Sequence, residues 1–162
     1  MKIVMDSDCL VKLTKAGAKE AVMSAMEVHI PGQVRKETVL EAKKHGFQDA
    51  FEIEANINRK LLRVREKTPK RAAPFPAMKG ESEVLSLYLT GGYDAIASDD
   101  MRFLKKLVAA RILYVTPAAC VIFLHKSGTL EKSRVLELLE GVKPWISNEE
   151  YEIARYSLEV ES

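Results

Sequence analysis

The most constraining feature of the sequence is its N-terminal stretch, in which an apolar run ends abruptly in two carboxylates. Lys2 to Met5 has the composition of a strand buried on both faces, and Asp6 and Asp8 follow it. Ser7 is a residue type that caps the start of a helix. Because ligands bind beyond the carboxyl ends of strands in open α/β sheets, this stretch predicts a functional site at Asp6.

Further apolar segments alternate with helical patterns along the chain. Three more strands are predicted at 28–30, 95–97 and 112–115, with helical spacing between successive strands. One long helix is predicted over 47–64, followed by a proline-containing loop over 68–79. This order predicts an α/β fold with three α/β/α layers, a central parallel sheet of four to five strands, and extra helices at the C-terminus.

Length and composition set broad limits on the protein class. The chain has 162 residues, of which 47% are hydrophobic and 30% charged, with a net charge of +2. We therefore expect a single globular domain with a core over 1–116 and a helical extension over 117–162. Cys9 and Cys120 lack metal-ligand spacing and are expected to be reduced. The sequence contains no pattern of a signal peptide or a membrane span, which predicts a cytoplasmic protein.

Four acids share a position at the end of a predicted strand or the start of a neighbouring helix. They are Asp6, Glu37, Glu81 and Asp100. Each alone is explained by stabilisation of a helix dipole, and with 23 acids in the chain several fall there by chance. As a set they point to one sheet edge, where four carboxylates repel one another unless cations intervene. Mg²⁺ or Mn²⁺ prefers oxygen ligands, so these acids are candidate catalytic and metal-binding residues.

Four segments of the sequence resemble the motifs of the PIN domain family. Val4 to Leu10 is similar to the family's opening, in which two hydrophobic residues precede Asp, then Thr or Ser, and a later Leu. Ile30 to Glu37 resembles its strand-Pro-x-x-Val-x-x-Glu segment, and Gly80 to Leu85 resembles its Gly-Glu-x-x-Ala-Ile helix start. Ala97 to Phe103 resembles its Thr-x-Asp-x-x-Phe segment. The order of the motifs matches throughout, and the helical tail resembles that of a prokaryotic branch of the family.

This resemblance implies a PIN-like fold and a metal-dependent endoribonuclease. In such an enzyme the four acids hold Mg²⁺ or Mn²⁺, and a metal-activated water hydrolyses an RNA phosphodiester bond. The Thr-x-Asp register favours Asp100, with Asp99 as an alternative catalytic residue. Two departures from the family pattern are the acid at Asp8, where small polar residues are commoner, and the additional acid Glu83.

The resemblance also implies partners. The expected substrate is RNA, either single-stranded or structured. Family members are often the toxin of a toxin–antitoxin pair, so an antitoxin protein is a candidate partner. A two-fold homodimer is the default assembly for domains of this kind.

A cluster of basic residues lies between the predicted long helix and the proline-containing loop. Its seven members, against the single acid Glu66, are Arg59, Lys60, Arg63, Arg65, Lys67, Lys70 and Arg71. This basic segment is suited to RNA phosphates, with an affinity that falls steeply as salt rises. It is equally compatible with a solvated helix end, and the sequence leaves both interpretations open.

Two other functions fit parts of the sequence. Asp6-Ser7-Asp8 resembles the nucleophile and acid pair of haloacid dehalogenase superfamily phosphatases, in which Asp6 would be phosphorylated. Leu10 stands where Thr or Val is usual there, and the glycine of the late Gly-Asp segment is missing. The second alternative is a catalytically silent PIN-like module that binds RNA or protein. Ser7 and Ser98 belong to no Ser/His/Asp set, so we expect them to hydrogen-bond neighbouring acids.

Overall fold

Five short strands form one parallel sheet at the centre of the molecule. The computed structural model describes residues 1–67 and 69–160. The strands, in the sheet order β3-β2-β1-β4-β5, are β1 (Lys2–Met5), β2 (Glu27–Pro31), β3 (Leu62–Arg65), β4 (Ala95–Ala97) and β5 (Tyr114–Val115). Helices flank the sheet, which confirms the predicted three-layer α/β/α fold.

Helices connect the strands and make up the C-terminal tail. In the described residues the α-helices are α1 (Ser7–Lys15), α2 (Lys19–Ala25), α3 (Gly32–Arg35), α4 (Ala42–Lys44), α5 (Gln48–Asn58), α6 (Lys79–Tyr88), α7 (Met101–Ala109), α8 (Pro117–Lys126), α9 (Lys132–Val142) and α10 (Asn148–Val160). A π-helical segment, Lys36–Glu41, joins α3 to α4, so that residues 32–44 form one composite helix. No helix in the described ranges is long and apolar enough to cross a membrane.

The strand register brings the carboxyl ends of the central strands to one edge of the sheet. β1 pairs in parallel with β2 and with β4, and Met5 lies opposite Ala97. The last three residues of β1 are fully buried, as expected for a parallel strand covered on both faces. Helices α1 and α7 start directly beyond this edge, with Asp6 and Asp100 as their N-terminal caps.

The predicted helix over 47–64 is wrong in its second half. Helix α5 ends at Asn58, Lys60 takes a left-handed φ of 61°, and the chain turns into β3. Leu62 is buried and Arg63 is exposed, which is the alternation of a half-buried strand. β3 pairs with the edge of β2, so tertiary pairing of the backbone overrides the helical pattern.

The remaining predicted elements are found with small changes of bounds. β5 contains only Tyr114–Val115 of the predicted 112–115 strand. Within the predicted loop over 68–79, Thr68 lies outside the described residues, 69–78 contain no helix or strand, and α6 begins at Lys79. The three predicted tail helices are α8, α9 and α10.

The tail helices pack on the sheet core. One cluster of buried apolar side chains includes residues from β1, α1 and α2 together with residues from α8, α9 and α10. Gly141 in α9 lies so close to α1 that an added Cβ would be 2.8 Å from the Ala16 carbonyl oxygen. The C-terminal helices are therefore held against α1, the helix that begins at the carboxyl edge of the sheet.

Candidate active site

A small cavity of 170 Å³ lies at the carboxyl edge of the sheet. Val34, Val84 and Phe103 form its apolar walls. Its acidic lining consists of Asp6, Asp8, Glu37, Glu81 and Asp100. The structure thus brings together the four acids that the sequence singled out, and we call this space the acidic cavity.

Asp6 connects the end of β1 to the start of α1. Its backbone N–H donates to the Ala97 carbonyl at 3.0 Å, and its Oδ1 accepts from the Cys9 N–H at 2.8 Å. Burial raises the pKa of Asp6 to about 7, although hydrogen bonds from Ser98 and from Cys9 lower it. The charges of Asp8 and Asp100 raise this pKa further. Asp6 is therefore a carboxyl group that changes its charge near neutral pH.

Glu37 lies on the π-helical segment of the composite helix. Its carboxylate accepts from the Ser7 hydroxyl and, at 2.8 Å, from Gln33 Nε2. A Cβ added at Gly80 would lie 3.7 Å from Glu37 Oε1, so the backbone of α6 closes over this carboxylate. π-Helical turns are often found at functional sites because they redirect a side chain. The hydrogen bond from Ser7 confirms the expected role of that serine.

Glu81 enters the cavity from the first turn of α6. It accepts from the Met78 N–H at 3.0 Å and from Lys106 Nζ at 2.9 Å. Lys106 Nζ also lies 5.9 Å from the ring centroid of Phe75, which packs edge-on against Phe103. Glu81 thus has a cationic partner within the protein.

Asp100 caps the N-terminus of α7. Its Oδ1 accepts from the backbone N–H groups of Arg102 at 2.8 Å and Phe103 at 3.1 Å. The Asp100 N–H donates to the Ser98 hydroxyl oxygen at 3.2 Å, and Ser98 in turn hydrogen-bonds Asp6. Ser98 is fully buried and connects Asp6 to Asp100 through these hydrogen bonds. This agrees with the expectation that Ser98 hydrogen-bonds neighbouring acids.

Asp8, on the wall of the acidic cavity, and Asp99, which does not line it, are both held by a lysine, and we call these two residues the outer acids. Both contact Lys12 Nζ, and the distance to Asp8 is 2.8 Å. Although burial lowers the pKa of Lys12, its hydrogen bonds to these two acids raise it to about 12. Asp99 faces the tail instead of the acidic cavity, and burial together with a hydrogen bond to Asp99 raises the pKa of Glu150 to about 7. The structure therefore places Asp100 in the cavity and Asp99 outside it.

The residues of the predicted basic segment are divided between two ends of β3. Arg59 and Lys60 precede the amino end of this strand, and Arg59 pairs with Glu20 at 3.2 Å. Arg63 and Arg65 lie within β3, and Arg63 pairs with Glu27 at 2.9 Å. The remaining members, Lys67, Lys70 and Arg71, are exposed and follow the carboxyl end. None of the seven is among the residues that line the acidic cavity in the described part of the chain.

A larger cavity of 640 Å³ lies away from the four acids, between α7, α8 and α10. Its lining is mostly apolar and includes the exposed side chains of Met101, Val108 and Ile153. Asp99 and Glu150 are on its wall. A choice of the functional site by cavity volume alone would therefore point to this cavity and not to the one that the four acids line.

The chemistry of the acidic cavity fits a divalent cation. Three of its acids, Asp6, Glu37 and Asp100, accept hydrogen bonds only from neutral donors within the described residues, so their charge is not balanced there. Hard cations such as Mg²⁺ take carboxylate oxygens and keep several waters, so one or two carboxylates are sufficient. Among residues 1–67 and 69–160, no group of three or more His, Cys, Asp or Glu side chains is arranged closely enough to hold an ion.

Sequence reasoning missed the cationic and amide groups around the acids. Lys12 is four residues after Asp8, a helical spacing at which an ion pair is expected, so its contact with Asp8 was detectable. Gln33 and Glu37 have the same spacing. The contact of Lys106 with Glu81 joins two separate helices and left no signal in the sequence.

Comparison with known proteins agrees with this geometry. A family model described as a PIN domain matches residues 2–159. No curated protein matches the chain, and no solved structure matches it. PIN domains are generally nucleases, and they typically use divalent metals. The sheet order, the acids at its carboxyl edge and this match over almost the whole length show that the chain belongs to the PIN domain family.

Proposed function

We propose that the protein is a metal-dependent endoribonuclease that hydrolyses RNA phosphodiester bonds. The observation that supports this function is the acidic cavity, in which four carboxylates from four separate chain segments line one space of 170 Å³. These carboxylates lie at the sheet edge where α/β proteins bind their ligands. The family to which the chain belongs consists generally of nucleases.

In this proposal, Asp6, Glu37, Glu81 and Asp100 hold Mg²⁺ or Mn²⁺, one or two of them as direct ligands and the others through waters that the ion retains. A divalent ion bound there would lower the pKa of a coordinated water and offset the charge of the phosphodiester. The carboxylates alone would repel a polyanion, so the cavity is suited to RNA only when its own charge is offset.

The chain's own groups position the carboxylates. Backbone N–H groups hold Asp6 and Asp100, and Ser7 and Gln33 hold Glu37. Side chains fixed by such contacts need little reordering when substrate binds. At pH values below about 7 the Asp6 carboxyl retains its proton, so full negative charge in the cavity requires a higher pH. We expect no covalent enzyme intermediate.

Cleavage of a single-stranded oligoribonucleotide tests the proposal. The wild-type protein should cleave it with Mg²⁺ or Mn²⁺ and stop when a chelator is added, whereas Asp6→Asn should not cleave it. Asp8→Asn is the matched control, because Asp8 has Lys12 as its partner and lies on the same helix. Equal cleavage by the wild type and Asp6→Asn would contradict the mechanism. Binding of RNA without any cleavage would identify a silent PIN module instead.

Family membership removes the support for the phosphatase alternative, since its Asp-x-Asp resemblance covers only the segment around Asp6. The toxin role, an antitoxin partner and a homodimer are further proposals that follow from the family resemblance. If the protein is a toxin, its expression should arrest growth and Asp6→Asn should not. Light scattering of the purified protein gives its mass in solution and tests the homodimer.

A further inference from the structure

A second cavity shares a wall with the acidic cavity. It has a volume of 290 Å³ and lies between α1, the composite helix and the start of α5. Ser7 and Glu37 line both cavities. The two cavities are therefore neighbours, and the hydrogen-bonded pair of Ser7 and Glu37 lies between them. We call the second space the Phe47 pocket.

The Phe47 pocket has the lining of a site for a flat, largely apolar group. Val11, Thr38 and Ala42 form its inner wall, and the Phe47 ring stands at its rim. Phe47 is 57% exposed, which is costly for a side chain of this size. One side of its ring contacts the His45 ring, with centroids 5.9 Å apart and an angle of 35° between the planes. More than half of the Phe47 side chain remains exposed, which gives a second ring a surface on which to stack.

The charged groups that line the pocket are one ammonium group, Lys15, and two carboxylates, Glu37 and Asp49. Lys15 Nζ pairs with Asp49 at 2.8 Å, and both residues line the pocket. The same Nζ lies 5.4 Å from the ring centroid of Trp145, which is also exposed. Lys15 thus connects the pocket to a second exposed aromatic ring, and proteins that bind single-stranded nucleic acids combine basic groups for phosphates with aromatic rings for bases.

We propose that the Phe47 pocket holds a nucleobase of single-stranded RNA, adjacent to the phosphate that is cut, by stacking on Phe47. This inference rests on the proposed ribonuclease function and assigns a residue of this chain to the binding of a base. The bases of a duplex are stacked within the helix, whereas the bases of a single strand can be splayed out onto aromatic side chains. The pocket is at the small end of ligand sites, about 300 Å³, which suits one ring system and not a protein helix.

Two phenylalanines on the same segment give a matched test. Phe47 and Phe51 are both exposed, but Phe51 is outside the pocket and contacts Lys43. On a single-stranded oligoribonucleotide, Phe47→Ala should lower kcat/KM about tenfold, which is within the range for loss of one base stack. Phe51→Ala should leave kcat/KM unchanged, and Phe47→Trp should retain it. Equal values for the two alanine variants would overturn the proposal.

An abasic substrate separates stacking from a structural role of Phe47. Once the cut site of the oligonucleotide is mapped, each flanking nucleotide is replaced in turn by an abasic residue. At one of these positions the abasic residue should lower kcat/KM of the wild type by about the same tenfold factor as Phe47→Ala does on the intact substrate. On that abasic substrate the wild type and Phe47→Ala should have equal kcat/KM. If Phe47→Ala remains less active than the wild type by the same factor on every abasic substrate, the ring does not contact a base.

The outcome remains informative if the nuclease proposal fails. If Asp6→Asn cleaves RNA as fast as the wild type, or if the wild type does not cleave RNA, the nuclease proposal is contradicted. Neither result bears on the base site. RNA containing 2-aminopurine then reports on the pocket by itself, since stacking on an aromatic ring changes the fluorescence of this base. A fluorescence change on binding that is lost in Phe47→Ala and kept in Phe51→Ala supports the base site. No binding, or an equal change in both variants, overturns it.

Discussion

Two sets of carboxylates lie at the same edge of the sheet and are neutralised in different ways. The outer acids Asp8 and Asp99 share the ammonium group of Lys12. Of the four other acids that line the acidic cavity, three are met only by neutral donors within the described part of the chain. The outer set therefore has a cation supplied by the protein itself, whereas these three cavity acids are arranged to receive a cation from outside.

The largest effect is expected from removing one charge in each set. Asp6→Asn should lower RNA cleavage about a thousandfold, because loss of a ligand to a catalytic ion removes several kcal/mol of transition-state stabilisation. Asp8→Asn should keep activity within about tenfold, because its carboxylate is paired with Lys12. Initial rates at saturating Mg²⁺ measure both. A similar loss in the two variants would abolish the distinction between the sets.

The next effect concerns stability and belongs to the outer set. Lys12→Met should destabilise the fold by about 1–3 kcal/mol, because it leaves the carboxylate of Asp99, with an 11% exposed side chain, without its cation. The matched control is Lys36→Met, which breaks an exposed pair with Glu41 at 3.8 Å and should change stability by about 0.5 kcal/mol or less. Urea denaturation compares the two. Equal values would show that the Lys12 contacts are ordinary surface pairs.

A smaller effect on metal affinity is expected from removing the serine that hydrogen-bonds Asp6. Ser98→Ala removes a hydrogen bond that lowers the pKa of Asp6, so this pKa should rise and the carboxylate should be less available at neutral pH. We expect about a tenfold loss of Mn²⁺ affinity, the usual order for loss of a group that orients a ligand. Ser86→Ala, at another buried serine, should have no effect. An unchanged affinity in Ser98→Ala would contradict this role.

The last prediction concerns the pH dependence of stability without metal. The pKa of Asp6 is raised from 3.8 to about 7, so between these values the folded protein binds more protons than the unfolded chain. Stability should therefore fall as pH rises through this range and level off above it. The Asp6→Asn variant should lack this component, while Glu150 titrates in both proteins and cancels in the difference. A difference in unfolding free energy that is constant from pH 5 to 8 would contradict the raised pKa.

Local sequence patterns predicted most of the fold and the four acids that share the acidic cavity. The strand ahead of Asp6 and the later strand ahead of Asp100 were recognisable because apolar runs end there in acids. β3 was missed because Leu61 and Leu62 extend the apolar stripe of α5, and only the free edge of β2 makes Leu62 a strand residue. Local sequence carries no such information on long-range pairing.

The surroundings of the site were less predictable for the same reason. The pairing of Lys106 with Glu81 and the meeting of Ser7 with Phe47 in one pocket depend on how separate helices pack. The choice between Asp99 and Asp100 follows from helix geometry: the residue that caps α7 turns into the cavity, and the one before it turns toward Lys12. That outcome agrees with the Thr-x-Asp register.

The most direct test of the account is Mn²⁺ binding followed by electron paramagnetic resonance, in which the signal of the free ion decreases as the ion binds. Wild-type protein and Asp8→Asn should bind Mn²⁺ with similar affinity at pH 8, and Asp6→Asn should bind it at least about tenfold more weakly. Binding by Asp6→Asn that equals the wild type, or no binding by the wild type, would contradict the claim that the acidic cavity receives a cation.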